Sequence, residues 1–200
     1  PDEADAWLVA TAKLLGGPVK PLSSCCGMPA YMAGDVAAGN AAQAALLAEV
    51  GTAERVVVAD PGCAFALRER LGERLVLAID LAADALPRLA PSGARDVVYH
   101  DPCKLGRGLG RYEQPRAILS RILGHAPGEM DERREMAACS GAGGLLPVTM
   151  PDTSRAIAKS RVDAAGGRAI VTACASSLRA FRAAGASAED LGAWIARSLP

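Results

Sequence analysis

Short apolar runs rich in β-branched residues alternate along this 200-residue chain with longer stretches rich in Ala, Leu and Arg. The runs span residues 55–60, 75–80, 96–101 and 169–175. Alternation of this kind is typical of βαβ units, and near-continuous apolar strands are typical of parallel sheets that helices cover on both faces. The sequence therefore predicts an α/β fold with mainly parallel sheets.

Helical stretches fill the intervals between these runs. We predict helices over residues 2–15, 36–50, 113–124, 152–165 and 187–198. The last begins with Ser187, and Asp190 follows three residues later, which resembles a capping box. Residues 89–96 combine Pro, Ser and Gly between two apolar segments and are the best candidate for a linker. This linker would divide the chain into units of residues 1–90 and 95–200.

The two units resemble each other in the order of their elements and cysteines. In each unit, an apolar helix is followed by a cysteine close to a glycine, a long helix, a short strand, a second cysteine and another helix. The spacing between the two cysteines is 38 residues from Cys25 to Cys63 and 35 residues from Cys139 to Cys174. This repeat predicts two related, Rossmann-like lobes produced by an internal duplication.

The second unit has one further cysteine, Cys103, which follows a predicted strand and lies 36 residues ahead of Cys139. The same interval counted back from Cys25 falls about 11 residues before residue 1. We therefore expect the first lobe to be truncated at its N-terminal side. The sequence also lacks an initiator Met, which agrees with that expectation.

The six cysteines lie where the topology predicts a ligand site. Three follow the carboxyl ends of predicted strands, which form the ligand-binding edge of a parallel sheet. Three occupy turns that enter helices, where the helix dipole favours a thiolate over a thiol. The first group is Cys63, Cys103 and Cys174, and the second is Cys25, Cys26 and Cys139. Because soft thiolates select iron–sulfur clusters or zinc over hard cations, the pattern predicts a metal site in each half.

Other uses of these residues stay open at this stage. A redox pair of Cys25 and Cys26 would make the chain a metal-free thiol–disulfide oxidoreductase, and zinc would make it a structural or docking module. Structural disulfides are disfavoured because the chain shows no secretory signal. His100 is a candidate fourth ligand, although a histidine at a strand end more often bonds to the backbone. Asp60 and Asp101, which both precede a proline, are expected to form turns.

The distribution of charge and apolar residues excludes several classes of partner. Lys and Arg together number 22, as do Asp and Glu, so the formal net charge is zero and no nucleic-acid surface is expected. No apolar stretch reaches the length of about 18 residues that a membrane-spanning helix needs. The N-terminus lacks the basic and apolar regions of a signal peptide, which predicts a cytoplasmic protein.

Four segments around the cysteines resemble the CCG cysteine-rich domain family. They are CCGMPAYMAGD (25–35), YHDPCKLGRGLGRYEQPR (99–116), CSGAGGLLPVTMPDTSRAIAKSRV (139–162) and VTACASSLRAF (171–181). This domain occurs in heterodisulfide reductase, in the iron–sulfur component of glycolate oxidase and in anaerobic glycerol-3-phosphate dehydrogenase. The resemblance implies two related α/β halves, each with a leading Cys, a CCG motif and a CxxC motif. It also implies bound iron–sulfur clusters, noncubane in some members, or zinc at one motif.

The resemblance carries over to individual cysteines in both halves. In the first half, Cys25 and Cys26 match the CCG pair and Cys63 matches the first cysteine of CxxC. In the second half, Cys103 matches the leading cysteine and Cys139 matches the first cysteine of CCG. Cys174 matches the first cysteine of CxxC. All six are therefore candidate cofactor and metal ligands.

Three positions depart from the pattern of the family. Ala66 and Ser177 stand where each CxxC motif should end, and Ser140 replaces the second cysteine of the second CCG. The second half therefore retains three thiols. Three thiols suit a [4Fe–4S] cluster with one iron that no cysteine binds, or a zinc ion with a fourth ligand of another kind.

The resemblance implies an iron–sulfur electron-transfer domain of an oxidoreductase complex, one component rather than a complete enzyme. Such a domain relays electrons between a dehydrogenase or ferredoxin and a quinone or disulfide acceptor. Its partners would be other subunits or domains of the complex, such as a flavin dehydrogenase or a ferredoxin-type domain. These partners would hold the cytoplasmic domain at the inner face of the membrane.

Overall fold

A computed structural model describes residues 3–200 of the chain, with side chains from residue 5 onward. The α-helices are α1 Glu3–Leu15, α2 Met28–Met32, α3 Val36–Val50, α4 Pro61–Leu71, α5 Ala78–Asp84, α6 Glu113–Leu123, α7 Leu146–Thr149, α8 Pro151–Ala164, α9 Ala175–Ala183 and α10 Leu191–Ser198. The strands are β1 Val56–Val58, β2 Leu75–Leu77, β3 Val97–His100, β4 Gly128–Glu129, β5 Ala169–Thr172 and β6 Ala188–Asp190. Short helical turns lie at Gly72–Arg74, Leu86–Arg88, Lys104–Gly108 and Arg134–Met136.

The strands form two parallel sheets. β1 and β2 make a two-stranded sheet, in which Val56 lies opposite Leu75. The second sheet has the strand order β4-β3-β5-β6, and each of these pairs is parallel. In its centre, Val98 of β3 lies opposite Ile170 of β5. The predicted α/β fold with parallel sheets is therefore confirmed.

The order of the elements repeats along the chain. The series α3-β1-α4-β2-α5 in the first half corresponds to α8-β5-α9-β6-α10 in the second. The pairing corresponds as well, because β1 pairs with β2 as β5 pairs with β6. A short helix with a proline in its first turn precedes the long helix in both halves, with Pro29 in α2 and Pro147 in α7. The repeat seen in the cysteine spacing thus extends to the elements, while the unit boundaries at residues 90 and 95 stay a prediction.

The apolar run 75–80 changes conformation halfway along. The strand ends at Leu77, and α5 begins at the next residue. Pairing with β1 ends where Val58 lies opposite Leu77, so the following residues have no strand partner on that side. Ala78 and Ile79 are instead buried on the first turn of α5. The prediction of a strand over 75–80 is therefore wrong in its second half.

The predicted helix 187–198 is wrong at its start. Its first residues belong to β6, since the carbonyl of Ser187 accepts a hydrogen bond from a β5 amide at 2.8 Å and pairing continues to Asp190. Asp190 then caps α10, because its Oδ1 accepts a hydrogen bond from an amide of the first helical turn at 2.7 Å. Backbone pairing with the neighbouring strand thus overrides the cap expected at Ser187.

One apolar core joins the two sheets. It contains Val58 and Leu77 from the first sheet and Tyr99 from the second, all of them buried. α1 lies along α10, and the ring of Trp7 covers Gly192 so closely that a Cβ at this position would overlap it. The shared core holds the carboxyl ends of the strands of both sheets in a fixed relation to each other.

Candidate functional site

Three of the six predicted site cysteines lie together in the first half. Cys26 is buried ahead of α2, and Cys63 is half-buried at the third position of α4. Interaction with the Cys63 thiol lowers the pKa of Cys26 to about 6, and the exposed Cys25 contributes less to the same shift. Interaction with Cys26, followed by burial, raises the pKa of Cys63. Cys26 is therefore the thiol of this pair that ionises more readily.

Asp60 sets the position of Cys63. Its Oδ1 accepts hydrogen bonds from the amides of Gly62 at 2.8 Å and Cys63 at 3.1 Å, which caps α4. The turn-forming role expected for Asp60 is thereby confirmed. Burial first, and then the charge of Asp60, raise the pKa of Cys174 in the second half. The carboxyl ends of β1 and β5 therefore face the same space.

Two side chains of α3 hold the loop that carries Cys25 and Cys26. The Glu49 carboxylate accepts hydrogen bonds from the amides of Ser23 and Ser24, each at 3.0 Å. These bonds, led by the one from Ser23, lower the pKa of Glu49 to about 2. The buried Gln43 donates from its amide to the carbonyl of Cys26 at 3.3 Å and to a carbonyl of α4 at 3.1 Å. Sequence reasoning missed both residues because neither belongs to a motif.

A glycine in the same conformation follows the cysteine turn in each half. Gly27 has φ +78° and Gly141 has φ +77°. A Cβ at Gly27 would lie 2.6 Å from the carbonyl oxygen of Gly39, and one at Gly141 would lie 2.5 Å from that of Ser154. Both oxygens belong to the long helix behind the turn. These glycines allow the turn to pass directly over that helix.

The cysteines of the second half lie on three separate segments. Cys103 precedes the turn Lys104–Gly108, Cys139 lies in the irregular segment ahead of α7, and both are exposed. Cys174 is half-buried at the start of α9, and its raised pKa keeps the free thiol protonated at neutral pH. Across residues 5–200, no three side chains of Cys, His, Asp or Glu lie close enough together to form a ready-made metal site.

Two of the positions that depart from the cysteine pattern contact each other. Ser177 Oγ donates a hydrogen bond to Ser140 Oγ at 2.9 Å, and both side chains are buried. Ser140 takes the place that Cys26 has in the first half, and Ser177 takes that of Ala66. Two positions that are cysteines in the family pattern are therefore both serines in the second half, and the two side chains are in contact. The sequence shows both substitutions but not that they are adjacent in space.

A buried ion pair fixes the turn ahead of Cys103. The guanidinium of Arg116, on α6, donates two hydrogen bonds to the carboxylate of Asp101, both at 2.8 Å, and binds Glu129 of β4 at 2.7 Å. The side chains of Arg116 and Asp101 are only 8% and 3% exposed. Sequence reasoning missed Arg116, although it falls on the same face of α6 as the buried Leu119.

Asp101 also holds the segment that leads to Cys139. Its Oδ2 accepts a hydrogen bond from the amide of Arg134 at 2.8 Å, and Arg134 has a positive φ of 55°. Although burial raises its pKa, the bonds from Arg116 and Arg134 keep the pKa of Asp101 below its usual value. One carboxylate thus joins the two segments that carry the exposed cysteines. The side chain of Asp101 bonds to these distant residues and not to the turn that follows it, so the turn-forming role expected for Asp101 is wrong.

His100 is buried within the second sheet. Its Nδ1 lies 3.3 Å from the hydroxyl of Thr172 on β5, and its ring meets the edge of Phe181 with 4.8 Å between the ring centres. Burial lowers the pKa of His100 to about 4, so the imidazole is neutral at neutral pH. No described side chain or backbone group pairs with Nε2. The role of His100 as a fourth ligand stays a prediction.

A groove of about 970 Å³ runs from the first-half cysteines along β1. Cys26 and Cys63 lie in its wall, and Ala173 and Ala175, on either side of Cys174, lie in it too. The groove therefore connects the thiols of the first half with the carboxyl end of β5.

Comparison with protein families gives one match in two parts. The profile of the CCG cysteine-rich domain matches residues 3–68 and 97–181. Each matched segment covers one of the two halves and includes the candidate cysteines of that half. Together the two segments account for more than half of the chain.

Relatives with curated names include redox and iron–sulfur proteins. One component of the dihydromethanophenazine:CoB–CoM heterodisulfide reductase of Methanosarcina mazei is 36% identical over 122 residues, 55% of this chain and 30% of that protein. An uncharacterized iron–sulfur protein of Methanocaldococcus jannaschii is 33% identical over 159 residues, 75% of this chain and 31% of the relative. A probable membrane-anchored ferredoxin of Chromohalobacter salexigens is 51% identical over 61 residues, 30% of this chain and 9% of the relative. The chain thus spans less than a third of each of these relatives.

The glycine after the second cysteine turn gives a first test. Gly141→Ala should lower the free energy of unfolding by about 1–2 kcal/mol through its positive φ and by a further ~1–3 kcal/mol through overlap with Ser154. Gly185→Ala is the matched control, since Gly185 has φ +88° and no neighbouring atom within 4 Å of an added Cβ. Urea denaturation of both variants measures the difference. Equal losses would show that the close approach to α8 is unimportant.

The buried ion pair gives a second test. Asp101→Asn removes the negative charge of the buried carboxylate that accepts two hydrogen bonds from Arg116 and should lower the free energy of unfolding by about 3–5 kcal/mol. Asp152→Asn removes the partner of Arg155 in an exposed ion pair and should change it by less than ~1 kcal/mol. Denaturant unfolding gives both values, and amide exchange at Arg134 should accelerate in the first variant alone. Similar losses in the two variants would contradict the anchoring role of Asp101.

The low pKa of Glu49 predicts how acid affects the cysteine loop. Because folding lowers this pKa from 4.5 to about 2, the stabilisation is complete above pH 4.5 and is lost as the pH falls through about 2. Amide chemical shifts of Ser23 and Ser24, followed by NMR, should titrate with this low midpoint. In Glu49→Gln, the same two shifts should lose that pH dependence. A midpoint near 4.5 in the unmodified chain would refute the proposed carboxylate contacts.

Proposed function

The chain belongs to the CCG cysteine-rich domain family, and on that basis we propose that it is an iron–sulfur electron-transfer domain of an oxidoreductase complex. The observation that carries the proposal is that both halves match the family profile and each presents free cysteines at the carboxyl ends of parallel strands. The names of the relatives, a component of a heterodisulfide reductase, a ferredoxin and an iron–sulfur protein, support the same function. We propose one component of a complex rather than a complete enzyme.

In the first half, Cys25, Cys26 and Cys63 would hold the cofactor. Interaction with Cys63 lowers the pKa of Cys26, and the thiolate of Cys26 would attract a cationic group. Asp60 and Glu49 fix the backbone on which the donors lie. Thiolate donors suit an iron–sulfur cluster or zinc better than a hard cation.

In the second half, Cys103, Cys139 and Cys174 would hold a [4Fe–4S] cluster. These donors would have to approach one another as the cofactor binds, and the exposed positions of Cys103 and Cys139 leave room for that movement. Ser140 and Ser177 bond to each other, so the serines do not replace the missing thiolates in this arrangement. A site with three thiolates would bind its cofactor less firmly than one with four.

When bound, an iron–sulfur cluster supplies reversible one-electron transfer. The residues of this chain would hold the cofactor, exclude water on the buried side of Cys26 and tune its environment through the carboxylate of Asp60. The glycines beside the cysteine turns let backbone amides approach the sulfur atoms, and the Gly141 amide already donates to Cys139 Sγ at 3.3 Å. Such amide contacts raise the reduction potential of a cluster.

The electron donor and acceptor would belong to other parts of the complex. We propose a flavin dehydrogenase or a ferredoxin-type domain on one side and a quinone or disulfide acceptor on the other. In the part of the chain that the structure describes, the helices are too short or too polar to cross a membrane. We propose that partners hold the domain at the inner, cytoplasmic face of a membrane.

A metal-free thiol–disulfide oxidoreductase is a second candidate. The sequence assigned its redox pair to Cys25 and Cys26, and we now infer Cys26 and Cys63, because interaction with Cys63 is the largest cause of the lowered pKa of Cys26. In that reaction the Cys26 thiolate would attack a substrate disulfide and displace one thiolate of the substrate. Cys63 would then attack the mixed disulfide, which forms the Cys26–Cys63 disulfide and releases the second substrate thiol. Two electrons and two protons would thus pass from the pair to the substrate.

Metal and sulfide analysis after anaerobic purification distinguishes these functions. We expect iron and acid-labile sulfide, the visible absorption of an iron–sulfur cluster and an EPR signal on reduction. Cys174→Ser should remove the iron and sulfide that the second half binds, and Cys63→Ser should remove those that the first half binds. Ser187→Ala, at an exposed position, should leave the iron and sulfide content of both halves unchanged. Zinc without iron would refute electron relay in favour of a docking module. A folded chain without any metal would favour the thiol–disulfide reaction.

A further inference from the structure

Arg107 lies between the segments that carry the two exposed cysteines of the second half. It follows Cys103 in the short helical turn after β3. Its guanidinium donates hydrogen bonds to the carbonyls of Glu135 at 3.0 Å and Ala137 at 2.8 Å. Ala137 stands just ahead of Cys139 in the sequence. One cationic side chain therefore connects the segment of Cys103 with the segment of Cys139.

A second cation, Lys104, follows Cys103 directly. Its Nζ lies 4.0 Å from the centre of the Phe65 ring on α4, and the Cζ of Arg68 lies 3.7 Å from the same centre. A Cβ at Gly108 would lie 2.8 Å from a carbon of this ring, so the ring covers the turn. Contact with an aromatic ring favours a cation without neutralising its charge. Phe65 thus fixes a positive charge beside the turn that begins at Cys103.

Neither cation has a carboxylate partner among residues 5–200. Arg107 donates to backbone carbonyls, and Lys104 contacts the aromatic ring. The buried carboxylate nearest in sequence, Asp101, is bound by Arg116 instead. Glu135 is exposed and forms no ion pair with a described residue, so water screens the charge that it sets against Arg107. The exposed cysteines therefore lie beside an excess of positive charge.

Positive charge at this place favours an anionic occupant. An iron–sulfur cluster held by thiolates carries a negative charge, and reduction adds one more. A nearby cation therefore stabilises the reduced form more than the oxidised form, and the reduction potential rises. The net charge around a cluster is one of the features that set this potential.

We propose that Arg107 and Lys104 are charge-compensating residues of the second half. Their positive field acts at Cys103 and Cys139 and raises the reduction potential of the cofactor that these cysteines hold. Arg107 also fixes the segment of Cys139 relative to that of Cys103. The effect on the cofactor rests on the proposed function, whereas the field is a property of the metal-free chain.

Thiol reagents of different charge measure the field on reduced, metal-free protein. The thiolate displaces iodide from both iodoacetate and iodoacetamide, but only iodoacetate is an anion. The ratio of the two rates at one cysteine reports the local charge and does not depend on the amount of thiolate. At low ionic strength, Arg107→Gln should lower this ratio about threefold at Cys103 and at Cys139. Lys104→Gln should lower it at Cys103. Mass spectrometry of the modified peptides gives both ratios.

Arg74→Gln is the matched control. Arg74 also donates to two carbonyls, those of Gly51 and Ala53, but it precedes β2 at the amino end of the strand, whereas the cysteine segments lie at carboxyl ends. This variant should leave the rate ratios unchanged, and Arg107→Lys should retain them because it keeps the charge. Equal ratios in Arg107→Gln and Arg74→Gln, with unaltered circular dichroism, would overturn the proposal. An equal fall in Arg107→Lys and Arg107→Gln would overturn it too, since charge would not be the cause.

A redox titration of the iron-loaded chain, monitored by EPR, tests the effect on the cofactor. A Cys63→Ser background confines the signal to the second half. There, Arg107→Gln should lower the ratio of reduced to oxidised cluster tenfold at a fixed potential, which corresponds to about 59 mV for a one-electron couple. An unchanged midpoint would overturn the assigned effect. A chain that binds no iron would refute the proposed function, and the rate ratios would still decide whether the field exists.

Discussion

The candidate site depends on the apolar core that the two parallel sheets share. α1 packs along α10, and buried residues of both sheets belong to one continuous cluster. Parallel strands place their carboxyl ends at one edge of each sheet, and the shared core sets the two edges against each other. As a result, the carboxylate of Asp60 at the end of β1 acts on Cys174 at the end of β5. Neither half could produce that arrangement alone.

Carboxylates hold the backbone of the cysteine-bearing segments in place. Asp60 binds the amides at the start of α4, Glu49 binds those ahead of Cys25, and Asp101 binds the amide of Arg134 on the way to Cys139. Buried or partly buried carboxylates close to thiols oppose the formation of thiolates, and the charge of Asp60 adds to burial in raising the pKa of Cys174. A cationic group would reverse this effect, which favours the metal that we propose.

The two halves have diverged most where the cofactor would be held. The first half keeps Cys26 in contact with Cys63, whereas the second has Ser140 bonded to Ser177. The glycine turn, the long helix behind it and the strand that follows are alike in both halves. The scaffold has therefore been retained while the donors have changed, so the two proposed sites should differ in how firmly they bind.

The sequence by itself determined the elements whose causes are local. The apolar runs predict the parallel strands, the 36–50 stretch is a helix over those same residues, and the repeat of cysteines and glycines predicts two similar halves. The tertiary structure decided the remaining features, because those features depend on contacts between residues that are distant in the sequence. Residues 188–190 form a strand because they pair with β5. Arg116 of α6 forms an ion pair with Asp101, and Ser140 contacts Ser177, although the members of each pair lie far apart in the sequence. No local pattern encodes such contacts, since their energy arises only when the core brings the segments together.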